Sequence, residues 1–447
     1  MKSKKKVKRV VNSQKIFCFI SFIFILICCL WYGGRFVYFY LDSKKAETSQ
    51  VAMADVLKQE NHSKKSFRKD GNEYYFYQDV DNNYVKYSNL LWRIVKINKD
   101  NSILLVMDDS ITSLAYGEDV KYQDSPLIKW LNKDEKKDFS GQMEGKLNDV
   151  SHYLVKTSVC IDTVDDIEKI DCKTTVDGYY LGLLSLEDYV KTGGKKSFIN
   201  HNSISYFANQ KADGTIWYLN DDGTLDTSSG DDLFGVRATV TLSPALSIKS
   251  GTGTKDDAYV IEDKFELFGS YVKLGNDMWR IYDVKQDQVK LVSTDYVKSA
   301  DGSKYESIYS NTSFVHNDTV SRSLAYYLNH TYLNSLSYKN LILNANYYNG
   351  YYGEDTNYQL DKVYGKEIDT HVAVPSLGDV VFHHELDNYF ISTGTYQNSS
   401  SVYLQNKNSE VVSKKVTSQA NVVACITIKR DNLSGGSGTM DDPYRTE

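Results

Sequence analysis

The sequence predicts an α+β protein: an N-terminal transmembrane helix followed by two related, sheet-dominated modules. Three observations carry that prediction. An uncharged apolar run follows a basic N-terminus, one set of landmarks occurs twice in the same order, and strand-period runs dominate within each set. The 447 residues are 41% hydrophobic and 25% charged, with only 4 Pro. That composition is globular, and the length suits two or three domains of ~100–200 residues.

The first 41 residues hold eight basic side chains (Lys2, Lys4, Lys5, Lys6, Lys8, Arg9, Lys15 and Arg35) and no acidic one. The remainder keeps 44 basic residues against 58 acidic, a formal −14. A body that acidic is a poor match for a phosphate backbone, so nucleic acid is excluded as the expected partner. From Ile16 to Gly34 the chain reads IFCFISFIFILICCLWYGG. At ~1.5 Å per residue this run spans ~28 Å, the thickness of a bilayer's hydrocarbon core. The basic residues before it place the N-terminus in the cytoplasm, and Trp31, Tyr32, Phe36, Tyr38, Phe39 and Tyr40 supply an outer aromatic belt. No small-residue cleavage site of the A-x-A kind follows, which favours an uncleaved signal anchor over a signal peptide. The expected organisation is therefore a cytoplasmic segment (1–15), a membrane anchor (16–40), a charged spacer (41–69), module one (70–262) and module two (263–447).

Cys18, Cys28 and Cys29 read as apolar fillers of the membrane helix. Beyond it, Cys160 and Cys172 bracket an acidic stretch, IDTVDDIEKID, and make a disulfide pair suited to an exported domain. Cys425 sits in an apolar run, NVVACITIK, and reads as a buried thiol.

The repeat rests on several landmarks. YVKYSNLLWRI at Tyr84–Ile94 and YVKLGNDMWRI at Tyr271–Ile281 share seven of eleven residues at an offset of 187. LIKWLN (127–132) parallels LAYYLN (324–329), LSLEDYV (184–190) parallels PSLGDVV (375–381), and WYLNDDG (217–223) parallels VYLQNKN (402–408). Both halves end alike, SGTGTKDDAYVIE at 250–262 and GGSGTMDDPYRTE at 435–447. A period near 190 residues is too long for a solenoid unit, so each copy is expected to be a domain with its own core. LWRIVKI, NKDN and SILLVM read as a hairpin, as do MWRIYDV, KQDQ and VKLVST. SPLIKWLNKDEKK and SRSLAYYLNHTYL have helical spacing, and VRATVTL and VVACITI are strand runs that close the sheet.

In that order, LWRIVKI, SILLVM, SPLIKWLN, LLSLEDY, IWYLNDDGTL, GVRATVTL and GTGTKDDAY resemble a bacterial surface module related to the C-type lectin-like and sulfatase-modifying-factor-like folds. The resemblance covers 70–262 well and 265–447 less completely. It implies a compact domain presenting loops for binding, and it fixes no ligand. The Glu-Pro-Asn, Gln-Pro-Asp and Trp-Asn-Asp tripeptides of calcium-dependent sugar binding are missing. Cys425 stands alone where the modifying enzymes use a cysteine pair.

Candidate sites are few. NYYNGYYGEDTNY places Tyr347, Tyr348, Tyr351, Tyr352 and Tyr358 in a polar, Gly-containing stretch. Tyr combines an apolar face with a hydroxyl, which suits sugar stacking or a protein interface, although such tyrosines can also simply cover sheet faces. The eight His include no H-E-x-x-H spacing, and the adjacent His383 and His384 before Glu385 point different ways on any element. Asp221, Asp222, Asp226, Asp231 and Asp232 lack the spacing of a calcium loop and read as a solvated turn. Walker, nucleophile-elbow and dinucleotide-binding motifs are missing. The expectation is a single-pass protein of a Gram-positive bacterial cell surface, non-catalytic, with no cofactor or metal, that binds cell-wall glycan or a surface protein. The alternatives are an exported wall or glycan hydrolase using a carboxylate pair, and a scaffold for another membrane protein.

Overall fold

A computed structural model describes residues 51–133, 141–200, 203–263, 266–299, 301–351, 364–382, 386–395 and 399–446. The proposed anchor Ile16–Gly34 lies outside the described residues, as do His201, Tyr352, Tyr358, His383, His384 and Glu385. No helix among the described residues is long and apolar enough to cross a membrane. Residues 53–447 form one compact unit. It is a sheet-dominated α+β structure, with 36% strand against 15% helix.

The first half opens with β1 (Phe67–Asp70), β2 (Glu73–Phe76), β3 (Tyr84–Tyr87), β4 (Leu90–Ile97) and β5 (Ile103–Met107). Short strands follow: β6 (Ser113–Leu114), β7 (Leu154–Val155), β8 (Thr157–Cys160), β9 (Thr175–Tyr179) and β10 (Leu181–Gly182). The half closes with β11 (Ser205–Gln210), β12 (Ile216–Leu219), β13 (Leu225–Ser228), β14 (Phe234–Gly235), β15 (Thr239–Leu242) and β16 (Tyr259–Val260). The second half supplies β17 (Tyr271–Leu274), β18 (Asp277–Val284), β19 (Gln288–Ser293), β20 (Glu306–Ile308), β21 (Ala345–Tyr351) and β22 (Tyr364–Thr370). After these come β23 (Val372–Ala373), β24 (Tyr389–Gly394), β25 (Ser401–Gln405), β26 (Val411–Lys415), β27 (Gln419–Asn421) and β28 (Cys425–Lys429).

The larger first-half sheet contains β3-β4-β5-β15-β10, and a second-half sheet runs β17-β18-β19-β28-β23. Their hairpins share a register: Tyr84 faces Arg93 and Val85 faces Trp92, while Tyr271 faces Arg280 and Val272 faces Trp279. A late segment returns parallel to the first strand of each of these hairpins, β16 on β3 through Tyr259 against Val85, and an isolated bridge from Tyr444 to Val272 on β17. The second sheets also correspond, β13-β12-β11-β14-β6 with β26-β25-β24-β27-β20. VRATVTL and VVACITI do not close their sheets. β15 lies between β5 and β10, and β28 between β19 and β23.

Local chemistry explains the shared elements. Trp92 and Trp279 are fully buried, and their indoles donate to Tyr87 O at 3.1 Å and Tyr338 Oη at 3.3 Å. The β3–β4 turn puts Ser88 and Asn89 at φ of 53° and 56°, the backbone a two-residue hairpin demands and one that Asn tolerates. The Asn ending each helix motif clamps it to a neighbouring strand. Asn132 Nδ2 donates to Ile128 O and Leu181 O while its Oδ1 accepts from Leu181 N. Asn329 does the same with Ala325 O, Val372 O and Val372 N. The helices are shorter than expected: Pro126–Leu131 in the first half, and in the second a π-helical segment, Tyr327–Tyr332, between single turns.

Two expectations about organisation are corrected. Part of the proposed spacer is core. The helix Met53–Asn61 buries Met53, Ala54 and Leu57, and β1 pairs with β2 on the sheet edge. Nor does each half keep a separate core. One hydrophobic cluster is confined to the second half around Trp279, but the cluster around Trp92 also takes in Tyr282, Val292, Phe382, Tyr389 and Cys425. The cause is strand alternation with apolar residues on both faces. Ile281 and Leu291 belong to the second-half cluster, whereas Tyr282 and Val292, on the other face, belong to the cluster that spans both halves. Backbone hydrogen bonds cross the same seam, from Val381 N to Ile111 O, Val411 N to Leu233 O and Ile204 N to Asn408 O, at 2.9, 3.1 and 3.1 Å.

Cys160 and Cys172 are joined in a disulfide. It closes a loop leading off the β8–β9 ribbon, and Val164 inside that loop is tied to β11–β12 by Val164 N to Gln210 O and Trp217 Nε1 to Val164 O. A two-stranded ribbon is marginal alone, and a loop this short contributes about 3 kcal/mol through the restricted unfolded chain. Cys160→Ser/Cys172→Ser is therefore expected to lose about 2–3 kcal/mol in chemical denaturation. Identical curves with and without reductant for the parent protein would show the bridge to be inconsequential.

Candidate functional site in the first half

Of the tyrosine patch, Tyr347, Tyr348 and Tyr351 fall within the described residues. Tyr347, Tyr348 and Tyr351 lie in strand β21 and not in an open loop. Tyr347 points inward, 4% exposed, and its hydroxyl shares a 2.7 Å hydrogen bond with Thr427 Oγ1. Tyr348 is half-buried on the opposite face, and Tyr351 sets its ring edge-on to Phe314 at 6.4 Å. These three tyrosines lie on sheet faces.

The acidic and thiol groups are also spent on structure. Asp222 Oδ1 accepts from Thr224 N and Oγ1, Asp232 Oδ2 accepts from Ser228 Oγ, and Asp221 Oδ2 accepts from Asn408 Nδ2. Cys160, Asp162 and Cys172 bring three donor atoms within 4.8 Å, but both sulfurs are committed to the disulfide. Cys425 is buried, and burial pushes its thiol well up. Paired carboxylates occur at Glu73 and Asp188, with Lys96 Nζ 3.5 and 2.9 Å from them. Burial alone would raise Asp188, but Lys96, Ser185 and Tyr75 bring it below its ordinary value. Lys96 thus keeps Asp188 ionised, whereas glycoside hydrolysis needs a carboxyl kept protonated.

Three clefts stand out. One of ≈ 470 Å³ lies between the halves, lined by Lys146, Asp149, Glu266 and Asp283. Another of ≈ 510 Å³, in the second half, is lined by Tyr296, Lys304, Glu306 and Lys414. The third, ≈ 610 Å³, is in the first half, and the elements already described build it most completely.

Its floor is Arg93, which β4 carries inward beside Trp92. The guanidinium is held on every side: Nε donates to Asn83 Oδ1 (2.7 Å), Nη1 to Tyr84 Oη (2.8 Å) and Nη2 to Val80 O (2.6 Å). Asp108 lies 3.5 Å away, and the rings of Tyr84 and Phe198 flank the cation, their centroids at 3.9 and 4.8 Å. Beneath, Arg237 donates to Met107 O, Asp108 O and Ile199 O. Burial draws Arg93 below its ordinary pKa, opposed by Tyr84 and Asp108; burial and then Asp108 raise Tyr84. The rim is exposed and charged: Asp79 and Asp81 on the β2–β3 loop, Lys195 and Lys196 on the turn after the helix Leu186–Lys191, and Lys255 on the closing loop, 3.4 Å from Asp108.

The second half repeats this Arg–aromatic stack but uses it for docking. Arg280 lies over Phe382 at 3.8 Å and Tyr271 at 5.1 Å, donating to Gly269 O and, across the seam, to Asn89 O. In the first half Val80 O takes the slot that Asn89 O fills in the second. The β2–β3 loop thus caps one stack and the first half caps the other, and of the two stacks, among the described residues, the one at Arg93 has an open cleft beside it. Sequence reading missed this site because its rim comes from three distant loops. The paired Trp-Arg in both copies was the available signal.

No family model, curated protein or solved structure matches the chain.

Proposed function

We propose that the protein is a non-catalytic binding protein of a bacterial cell surface, anchored through Ile16–Gly34, whose first half takes a charged wall component. One observation carries this reading: a ≈ 610 Å³ cleft with a locked floor and an exposed rim of both charges. Its volume falls in the range of ligand sites. The buried ionisable groups at its floor are engaged with one another, which suits recognition and leaves no general acid or base there. Tyr84 and Phe198 are 8% and 7% exposed, so broad stacking on a sugar ring is not what this floor offers. The acidic surroundings and the disulfide fit an exported setting.

The test mixes the protein with purified cell-wall sacculi and records both pelleted protein and released fragments. Saturable, salt-sensitive pelleting without release is expected. Time-dependent release of glycan or peptide would make it a hydrolase, and neither pelleting nor release would remove the wall as its partner.

A further inference from the structure

The charges of the Arg93 cleft are separated by sign, and this is informative about its ligand. Asp79 and Asp81 stand on the loop that caps Arg93, while Lys195 and Lys196 stand on the turn leading to Phe198. Among the described residues these four make no ion pair, whereas the other clefts contain internal pairs, Lys146–Asp283 at 3.0 Å and Lys304–Glu306 at 3.5 Å. Between these segments the floor is held by its own hydrogen bonds, and Asp108 is shared by Arg93 and Lys255, which leaves the floor with a residual positive charge. A simple anion would meet two carboxylates at the rim, and a simple cation would meet the lysines. Neither uses the whole cleft.

We infer that the cleft takes a zwitterionic oligopeptide, its ammonium on the Asp79–Asp81 wall and its carboxylate on the Lys195–Lys196 wall. This rests on the proposed surface-binding function and names its ligand as the peptide component of the wall. About 610 Å³ accommodates two or three small residues, and the Tyr84–Phe198 floor passes beneath their backbone. Attraction to each end is charge-assisted but exposed, so it weakens with salt.

The experiment titrates the full chain with tri-alanine, N-acetyl-tri-alanine and tri-alanine amide by calorimetry. Tri-alanine should bind, and either cap should weaken binding roughly fivefold, the upper end for an exposed ion pair. In Asp79→Asn/Asp81→Asn the acetyl cap should lose its effect while the amide keeps its own; Lys195→Gln/Lys196→Gln should show the reverse. All four side chains are exposed, so folding is not at stake. Equal binding of all three peptides, cap effects unchanged in both variants, or no binding of tri-alanine would overturn the assignment. Sacculi pelleted equally by both variants and the parent would overturn the peptide site and leave surface binding standing. Peptide binding without pelleting would do the opposite.

Discussion

Asp188→Ala is expected to cost about 3 kcal/mol, because it leaves Lys96 in a site built for a pair. Lys96 and Asp188 side chains are 16% and 13% exposed and 2.9 Å apart. Tyr75 Oη lies 3.2 Å from Asp188 Oδ1 and 3.0 Å from Glu73 Oε2, its one proton shared between these acceptors, and Ser185 Oγ donates to Asp188 Oδ2 at 2.9 Å. Removing the carboxylate strands an ammonium and a phenol together. Glu73, 3.5 Å from Lys96, moderates the loss, which places it at the lower end for a broken buried pair. Lys96→Met/Asp188→Leu should regain most of it, since removing both charges removes the desolvation cost as well.

The same network fixes a pH signature. The pKa of Asp188 is lowered, so its contribution is complete above the ordinary carboxylate value and is lost as pH falls through the lowered one. Lys96 is raised despite burial, by Asp188 and Glu73, so its contribution is complete below the ordinary lysine value and is lost as pH rises through the raised one. The double variant should therefore lose stability less steeply at both extremes. Urea denaturation from pH 3 to 11 reads this directly. An Asp188→Ala penalty under about 1 kcal/mol, the range of surface pairs, would mean the network is merely superficial.

Why the fold was partly legible follows from particular residues. Hairpins such as LWRIVKI–SILLVM set two short apolar, β-branched runs around a polar turn, and that pattern translates directly into β4 against β5. MADVLKQEN was passed over among charged neighbours, although Met53, Ala54 and Leu57 fall on one helical face. In NYYNGYY the Gly and Asn suggested a loop, yet adjacent tyrosines in a strand must face opposite ways, as Tyr347 and Tyr348 do. The cleft was illegible for a different reason. Asp79, Lys195 and Lys255 are brought together only by tertiary packing, and no local period links them. The shared core was hidden similarly, since an apolar run such as that around Cys425 shows that both faces are covered and not by which half.

Trp92→Ala and Trp279→Ala should each cost about 3–5 kcal/mol, the loss for a fully buried indole replaced by a void. Their comparison tests how the halves are joined. Trp279 belongs to the cluster confined to the second half, whereas Trp92 shares its cluster with Tyr282, Val292 and Tyr389 from across the seam. If the halves were independent domains, calorimetry would show two transitions, and each substitution would move one of them. The shared cluster, the backbone bonds at Ile111, Leu233 and Asn408, and the Arg280–Asn89 contact all require partner surfaces that neither half has alone. Unfolding the second half would take Tyr282, Val292 and Tyr389 out of the cluster around Trp92, and unfolding the first would break the bonds from Val381 N and Phe382 N to Ile111 O. A single transition is therefore expected, displaced by both substitutions. Trp279→Ala producing a separate early transition, with the remainder unmoved, would show that the seam couples the halves by less than the cost of that one cavity.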